Sequence, residues 1–303
     1  MRDRRSDRLR RQHAIQARAK IAKLPVDEDP TKADEETGEE SLGESVVTRG
    51  RIRQSVVSWC YEPMPLETLA RHAAAMGIRG IENVEPKDWD ILKRHGLVCA
   101  MTVGHGFVDG MNRKENHPMC IEKLSAAIEA NGAAGFPNVI TFTGMRNGLY
   151  DEAGLKTTVA GLKQVIGLAE RNRVNLCLEV LNTRVDEPMK GHPDYMCDRV
   201  EWAVEVCKRV GSERMKILFD IYHVQIMQGD IITRIRQYHD YVGHYHVAGV
   251  PDRNEIDDTQ EVNYPAVLRA IVATGYRGFV GQEFIPTRDP IASLRDAVKR
   301  CDV

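Results

Sequence analysis

From residue 51 onward, short apolar runs alternate with longer amphipathic ones, eight times over. The strand-like runs fall at 52–59, 80–84, 97–103, 138–143, 174–179, 215–220, 242–248 and 278–284. Helical periodicity follows each, at 65–76, 86–94, 117–134, 153–172, 195–210, 222–238, 264–273 and 291–301. Strands separated by helices pair parallel through right-handed crossovers. Eight such units of about 30 residues predict one (βα)8 TIM barrel. A doubly wound sheet is the second choice, but no Gly-rich dinucleotide fingerprint follows the first strand. Gly77, Gly96, Gly135, Gly211 and Gly275 each stand just past a helical run, where a left-handed residue ends a helix.

Of 303 residues, the first fifty differ from the rest. Residues 2–23 are basic, from Arg2 to Lys23, and 27–44 are acidic, from Asp27 to Glu44. Too few large apolar side chains are present there to offset the entropy of ordering, so 1–50 reads as a flexible charged arm and 51–303 as the barrel domain. The basic part lacks the apolar core of a secretory signal. A net charge of −2 favours neither nucleic acid nor an anionic membrane. No apolar run reaches the roughly 18 residues of a membrane span. Seven scattered cysteines without a CxxC pair suggest reduced thiols, and hence a cytoplasmic protein.

In a parallel barrel the active site lies at the carboxyl ends of the strands. The run Val174–Val180 is apolar except for Asn175 and Glu179. The next three strands end in Asp220, His246 and Glu283. A lone strand-end carboxylate is ordinarily solvated or salt-bridged. Three carboxylates and an imidazole from four consecutive strands repel unless a cation or shared protons hold them. The oxygen-rich set predicts one divalent metal, Mg²⁺, Mn²⁺ or Co²⁺, with Zn²⁺ a poorer match.

Further candidates lie around that mouth. His223 is one turn into the helix after Asp220, and Arg253, in the loop after the seventh strand, suits a substrate carboxylate or phosphate. His105, after the third strand, is a weaker substrate contact. His244 shares the inward face of its strand with His246, one layer deeper. Trp59 and Tyr61 stand where they can wall a pocket. Glu255 and Glu261 read as loop surface.

These segments carry a resemblance. LEVLNTR (178–184), DIYHVQIMQGD (220–230), GHYHVAGVPDRNE (243–255), NYPAVLRAIVATGYRG (263–278) and GQEF (281–284) resemble the sugar isomerase/epimerase superfamily of xylose isomerase-like barrels, hydroxypyruvate isomerases most of all. The match is strong in the carboxyl-terminal half and weak over 51–172. His246 is nearer the ketose epimerases, and the loop 104–117 departs from the usual pattern. The resemblance implies that Glu179, Asp220, His246 and Glu283 bind one metal, that Glu179 and Glu283 double as the acid/base pair, and that His223 and Arg253 meet substrate. It implies proton transfer between adjacent carbons of a small α-hydroxycarbonyl compound through an enediolate, hydroxypyruvate going to tartronate semialdehyde. The partner would be a hydroxy-keto acid or ketose, and by analogy the chain a homo-oligomer. A ketose 3-epimerase and a non-catalytic sugar or acid sensor are the alternatives. An endonuclease-type barrel would need more ligands and a basic DNA track, neither of which appears in 51–303.

Overall fold

Parallel ladders run round a ring. The strands are β1 (Arg53–Val57), β2 (Gly80–Glu82), β3 (Val98–Cys99), β4 (Thr102–Val103), β5 (Asn138–Thr141), β6 (Asn175–Glu179), β7 (Met215–Asp220), β8 (Val242–Val247) and β9 (Phe279–Gln282). In this computed structural model, which describes residues 45–303, they lie in the order β3-β2-β1-β9-β8-β7-β6-β5-β4. Of the arm expected over 1–50, residues 1–44 lie outside the described residues. Strands β3 and β4 are two halves of the stave expected over 97–103: β3 pairs with β2, and β4 with β5. The stave bends at Ala100-Met101, yet Ala100 N–H still donates to Ile81 O (3.0 Å), and Asn83 N–H to Met101 O (2.9 Å). The Asn138 side-chain amide donates to the Ala100 carbonyl (2.9 Å), replacing the ladder bond lost at the bend. Eight staves therefore close the expected barrel.

Around the ring stand α1 (Leu66–Met76), α2 (Trp89–Arg94), α3 (His117–Ala134), α4 (Asp151–Leu162), α5 (Ile166–Asn172), α6 (Val200–Val210), α7 (Ile221–Met227), α8 (Ile231–Tyr238), α9 (Tyr264–Ala273) and α10 (Pro290–Cys301). Helix α6 shows why these segments are helical. Val200, Ala203, Val204, Cys207 and Val210 are buried, a stripe at the 3.6-residue period. All five expected stop glycines adopt positive φ. Three runs expected as single helices differ. The run 153–172 breaks after Leu162, and 222–238 breaks at Gly229 and Asp230, both at positive φ. The run 195–210 becomes helical only at Val200, because Tyr195 is held elsewhere: its hydroxyl receives Thr143 N–H (3.1 Å) and donates to the Glu179 carbonyl (3.2 Å).

Residues 45–50, grouped by charge with the arm, lie against the barrel. One carboxylate holds them: Asp302 accepts the backbone N–H groups of Thr48 (2.6 Å), Arg49 (2.7 Å) and Gly50 (2.8 Å), and the Thr48 hydroxyl (2.9 Å). Val46 and Val47 pack on the core beside it. Charge-assisted bonds contribute about 1.5–3 kcal/mol each and share one acceptor group here. Asp302→Asn is therefore expected to lower unfolding free energy by about 1–3 kcal/mol in urea titrations. An unchanged midpoint would mean that the amino-terminal segment adds nothing to the barrel's stability. The seven cysteines are buried and free, and among the described residues no helix is long and apolar enough to cross a membrane.

Candidate active site

The four strand-end residues converge. One ligand atom from each of Glu179, Asp220, His246 and Glu283 lies within 4.8 Å of the others. The register explains this: Asp220 is the ladder partner of His246, and His246 of Gly281, two residues before Glu283. His246 Nδ1 sits 3.0 Å from Glu283 Oε2, 3.7 Å from Glu179 Oε1 and 3.8 Å from Asp220 Oδ2. Asp220 is also the cap of α7, where its Oδ1 accepts His223 N–H (3.1 Å). Capping fixes the rotamer and leaves Oδ2 for the cluster. All four are buried, none more than 5% exposed.

The electrostatics of the cluster are those of a site short of positive charge. Burial, then Glu283, pushes the Asp220 carboxyl well above its ordinary value. Burial also raises Glu179, with His246 opposing and Glu283 adding to the rise. Burial would raise Glu283 too, but Arg253 and His246 overcome it and hold that group well below the usual range. Isolating a carboxylate from water costs several kcal/mol, against about 1.4 kcal/mol for each unit of pKa shift, so such groups take up protons where no cation balances them. A divalent cation would supply that balance. The residues fit one. His246 Nδ1 is buried without a hydrogen-bond partner and faces three carboxylates, and the donor set is three oxygens with one nitrogen.

Behind His246 lies a residue not among the strand-end candidates. Glu82, at the end of β2, is fully buried. His246 Nε2 donates to its Oε2 (2.9 Å), His244 Nε2 to its Oε1 (2.9 Å) and Ser55 Oγ to Oε1 (2.6 Å). Burial opposes its ionisation, but His244 and His246 bring the carboxyl down to about 2. The expected second strand, 80–84, puts Glu82 at its middle; β2 ends at Glu82, so the strand-end rule reaches it only with that boundary known. The two-residue spacing of His244 and His246 correctly places both rings on one inward face.

His223 and Arg253 are at the same mouth. Asn182 N–H donates to His223 Nδ1 (3.1 Å). That nitrogen is therefore bare, and Nε2 carries the proton. Nε2 is buried, unpartnered, and 3.8 Å from Asp220 Oδ2. Burial first and Arg253 second hold this imidazole neutral, its pKa well below the ordinary value. Arg253 follows the tight turn after β8. It has φ of 60° and is pinned there by N–H donation to Gly249 O (2.7 Å) and by Ile285 N–H on its own carbonyl (2.7 Å). A non-glycine residue in this region costs roughly 1–2 kcal/mol, which the surrounding bonds offset. Its guanidinium donates to Glu283 Oε2 (2.6 Å) and Met189 O (2.5 Å), lies 5.3 Å from the Trp59 ring and 5.4 Å from Tyr222, and keeps Nε unpartnered. Tyr61 packs edge-on against Phe284, 6.2 Å between rings.

The remaining candidates are His105, Glu255 and Glu261. His105 has both ring nitrogens engaged: Nδ1 donates to Gly106 O (3.0 Å), and Nε2 receives the Thr141 hydroxyl (2.9 Å). Burial pushes its pKa down to about 4. A histidine depressed in the folded state contributes stability that is complete above its unfolded value near 6.5 and is lost as pH falls toward about 4. His105→Gln is expected to flatten the fall in stability between about pH 6.5 and 4 by up to about 3 kcal/mol. Urea unfolding across that range checks it; a slope equal to wild type would mean that His105 titrates normally. Glu255, expected on the loop surface, is instead buried. It accepts Thr287 N–H (2.9 Å) and the hydroxyls of Thr287 (2.9 Å) and Ser293 (2.8 Å), tying the loop after β9 to α10. Glu261 is exposed and accepts from Gln225 (3.2 Å).

A family model described as xylose isomerase-like TIM barrel matches residues 70–301. The chain belongs to that family. Within it, the chain is 30% identical over 235 residues to the 2-oxo-tetronate isomerase of Cupriavidus necator, covering 77% of this chain and 82% of that one. It is 27% identical over 236 residues to the hydroxypyruvate isomerase of Escherichia coli K12, covering 74% and 89%. These relatives place this xylose isomerase-like barrel among isomerases. The crystal structure of Escherichia coli 3-keto-D-glucoside 4-epimerase superposes with a TM-score of 0.69 at 18% identity, covering 82% of this chain and 97% of that one, which is a likeness of fold.

Proposed function

We propose that this chain is a divalent-metal-dependent isomerase of small hydroxy-keto acids, with hydroxypyruvate to tartronate semialdehyde as its reaction. The observation that carries the reading is the meeting of Glu179, Asp220, His246 and Glu283 within 4.8 Å at the carboxyl ends of β6 to β9. The names of the two isomerase relatives support the substrate class. The oxygen-rich donors favour Mg²⁺, Mn²⁺ or Co²⁺ over Zn²⁺. A cation held there supplies a Lewis acid that stabilises negative charge on neighbouring substrate oxygens.

The chain's own residues do the rest. Glu283, kept ionised chiefly by Arg253, takes a proton from C3 of hydroxypyruvate. The electron pair moves into the C2–C3 bond, giving an enediolate. The hydroxyl proton passes from the C3 oxygen to the C2 oxygen, beside which the neutral His223 Nε2–H is the available donor. Glu179, whose environment favours its proton, delivers one to C2, leaving an aldehyde at C3 and a hydroxyl at C2. Arg253 offers its free Nε–H to the substrate carboxylate. Burial of the whole cluster excludes water that would quench the carbanion.

The test is incubation with hydroxypyruvate, 2-oxo-tetronate and free ketoses in D2O with Mn²⁺ or Mg²⁺, followed by NMR. Deuterium entering C2 of a tartronate semialdehyde product is the expected result. Deuterium at C3 of a ketose with inversion would instead mark a 3-epimerase. Ligand binding without deuterium uptake by any compound would leave a sensor and contradict the enzyme.

A further inference from the structure

We infer that Glu82 is a positioning residue: one buried carboxylate clamps the Nε2–H groups of both His244 and His246 and so turns Nδ1 of His246 toward the metal cluster. This rests on the metal-binding reading above. A carboxylate only accepts, so each imidazole bonded to it carries its proton on Nε2. For His246 that leaves Nδ1 as the nitrogen whose lone pair a cation would take, and Nδ1 is the atom facing Glu179, Asp220 and Glu283 at 3.0–3.8 Å. A ring flipped about its axis would present Cδ2–H to the cation site and the other tautomer would present N–H, and neither could ligate. Histidine ligands of metals are ordinarily fixed in this way through their second nitrogen.

Two further features are built for the clamp. Ser55, from β1, donates to the same oxygen that receives His244, so Glu82 has three donors from two staves, β1 beside it and β8 across the barrel, and no freedom to rotate. Gly281 makes the space: a Cβ built there would stand 2.1 Å from Glu82 Oε1 and 2.9 Å from His246 Cδ2. The glycine of the GQEF segment is thus required by the carboxylate across the barrel, while the Glu of the same segment faces the cation site. His244, whose Nδ1 is buried and unpartnered, occupies the second carboxylate oxygen and keeps the first for His246.

Glu82→Gln tests this, because an amide keeps the shape but offers one acceptor oxygen to two N–H groups. Full-length protein is titrated calorimetrically with Mn²⁺ alone, and the Mg²⁺-loaded protein is examined by imidazole ¹⁵N NMR, with His246 assigned by its loss in His246→Asn. Wild type is expected to take one Mn²⁺ and to show His246 as a single Nε2–H tautomer. Glu82→Gln is expected to weaken Mn²⁺ about 10–100-fold and to mix or invert that tautomer, with kcat partly restored by excess Mn²⁺. Ser55→Ala, a gentler change that keeps both imidazole bonds, is expected to weaken Mn²⁺ about 3–10-fold, and it decides the matter if Glu82→Gln does not fold. A folded Glu82→Gln with wild-type affinity and tautomer overturns the clamp while leaving the metal site intact; so does unchanged affinity in Ser55→Ala where that is the only folded variant. Two Mn²⁺ per wild-type chain would overturn it as well, by making Glu82 a ligand. A wild type that binds no Mn²⁺ removes the metal reading and the clamp together.

Discussion

Glu283→Gln is expected to lower kcat about a thousandfold at saturating metal, with the circular dichroism of the barrel unchanged. General-base catalysis contributes about 10²–10⁴-fold, and an amide cannot accept the proton. The substitution is nearly isosteric, and its amide oxygen still receives the Arg253 guanidinium, so packing is kept. The residual positive charge of Arg253 is shared with Asp220, 3.8 Å away. Deuterium uptake from D2O should fall in step with kcat, because both depend on the same proton abstraction. Turnover within tenfold of wild type would take the base role from Glu283 and leave it as a ligand at most.

Arg253→Met has the second largest expected effect, and it separates binding from chemistry by pH. Burial favours the protonated form of Glu283, and Arg253 is the strongest opposing influence. Without the guanidinium the Glu283 carboxyl rises. A base works only when deprotonated, so the acid limb of kcat/KM moves to higher pH in the variant. Breaking a buried ion pair by removing one partner costs about 3–5 kcal/mol, and the protein is expected to be less stable by that order. At neutral pH the KM for a keto acid is expected to rise about a hundredfold, through loss of the charge-assisted contact to its carboxylate. An acid limb identical to wild type would contradict the coupling between Arg253 and Glu283, and an unchanged KM would remove Arg253 from the substrate.

Much of this architecture was legible before any coordinates. The alternation of apolar runs and helical stripes is set by burial, and burial is what the barrel imposes. What the pattern could not show is where a helix yields to a local bond. Tyr195 continues a helical period, yet its hydroxyl is taken by Thr143 and Glu179, and α6 starts five residues later. The third stave bends at Ala100 because a side chain from the next stave, Asn138, completes the ladder. Such contacts join residues far apart in the chain and leave no periodic trace. At the site, the strand-end rule found the residues whose side chains share one layer of the barrel. It passed over Glu82 because the expected strand 80–84 put that residue at its middle, whereas β2 ends at it. Glu255 reads as surface because its loop is polar, whereas its carboxylate is buried against Thr287 and Ser293, more than thirty residues on.

The most direct measurement is the anomalous diffraction of crystals soaked in Mn²⁺. One manganese peak bonded to Glu179, Asp220, His246 Nδ1 and Glu283 is the predicted result. A peak elsewhere, or none at concentrations that saturate turnover, would contradict it, and with it the assignment of these four staves to a common ion.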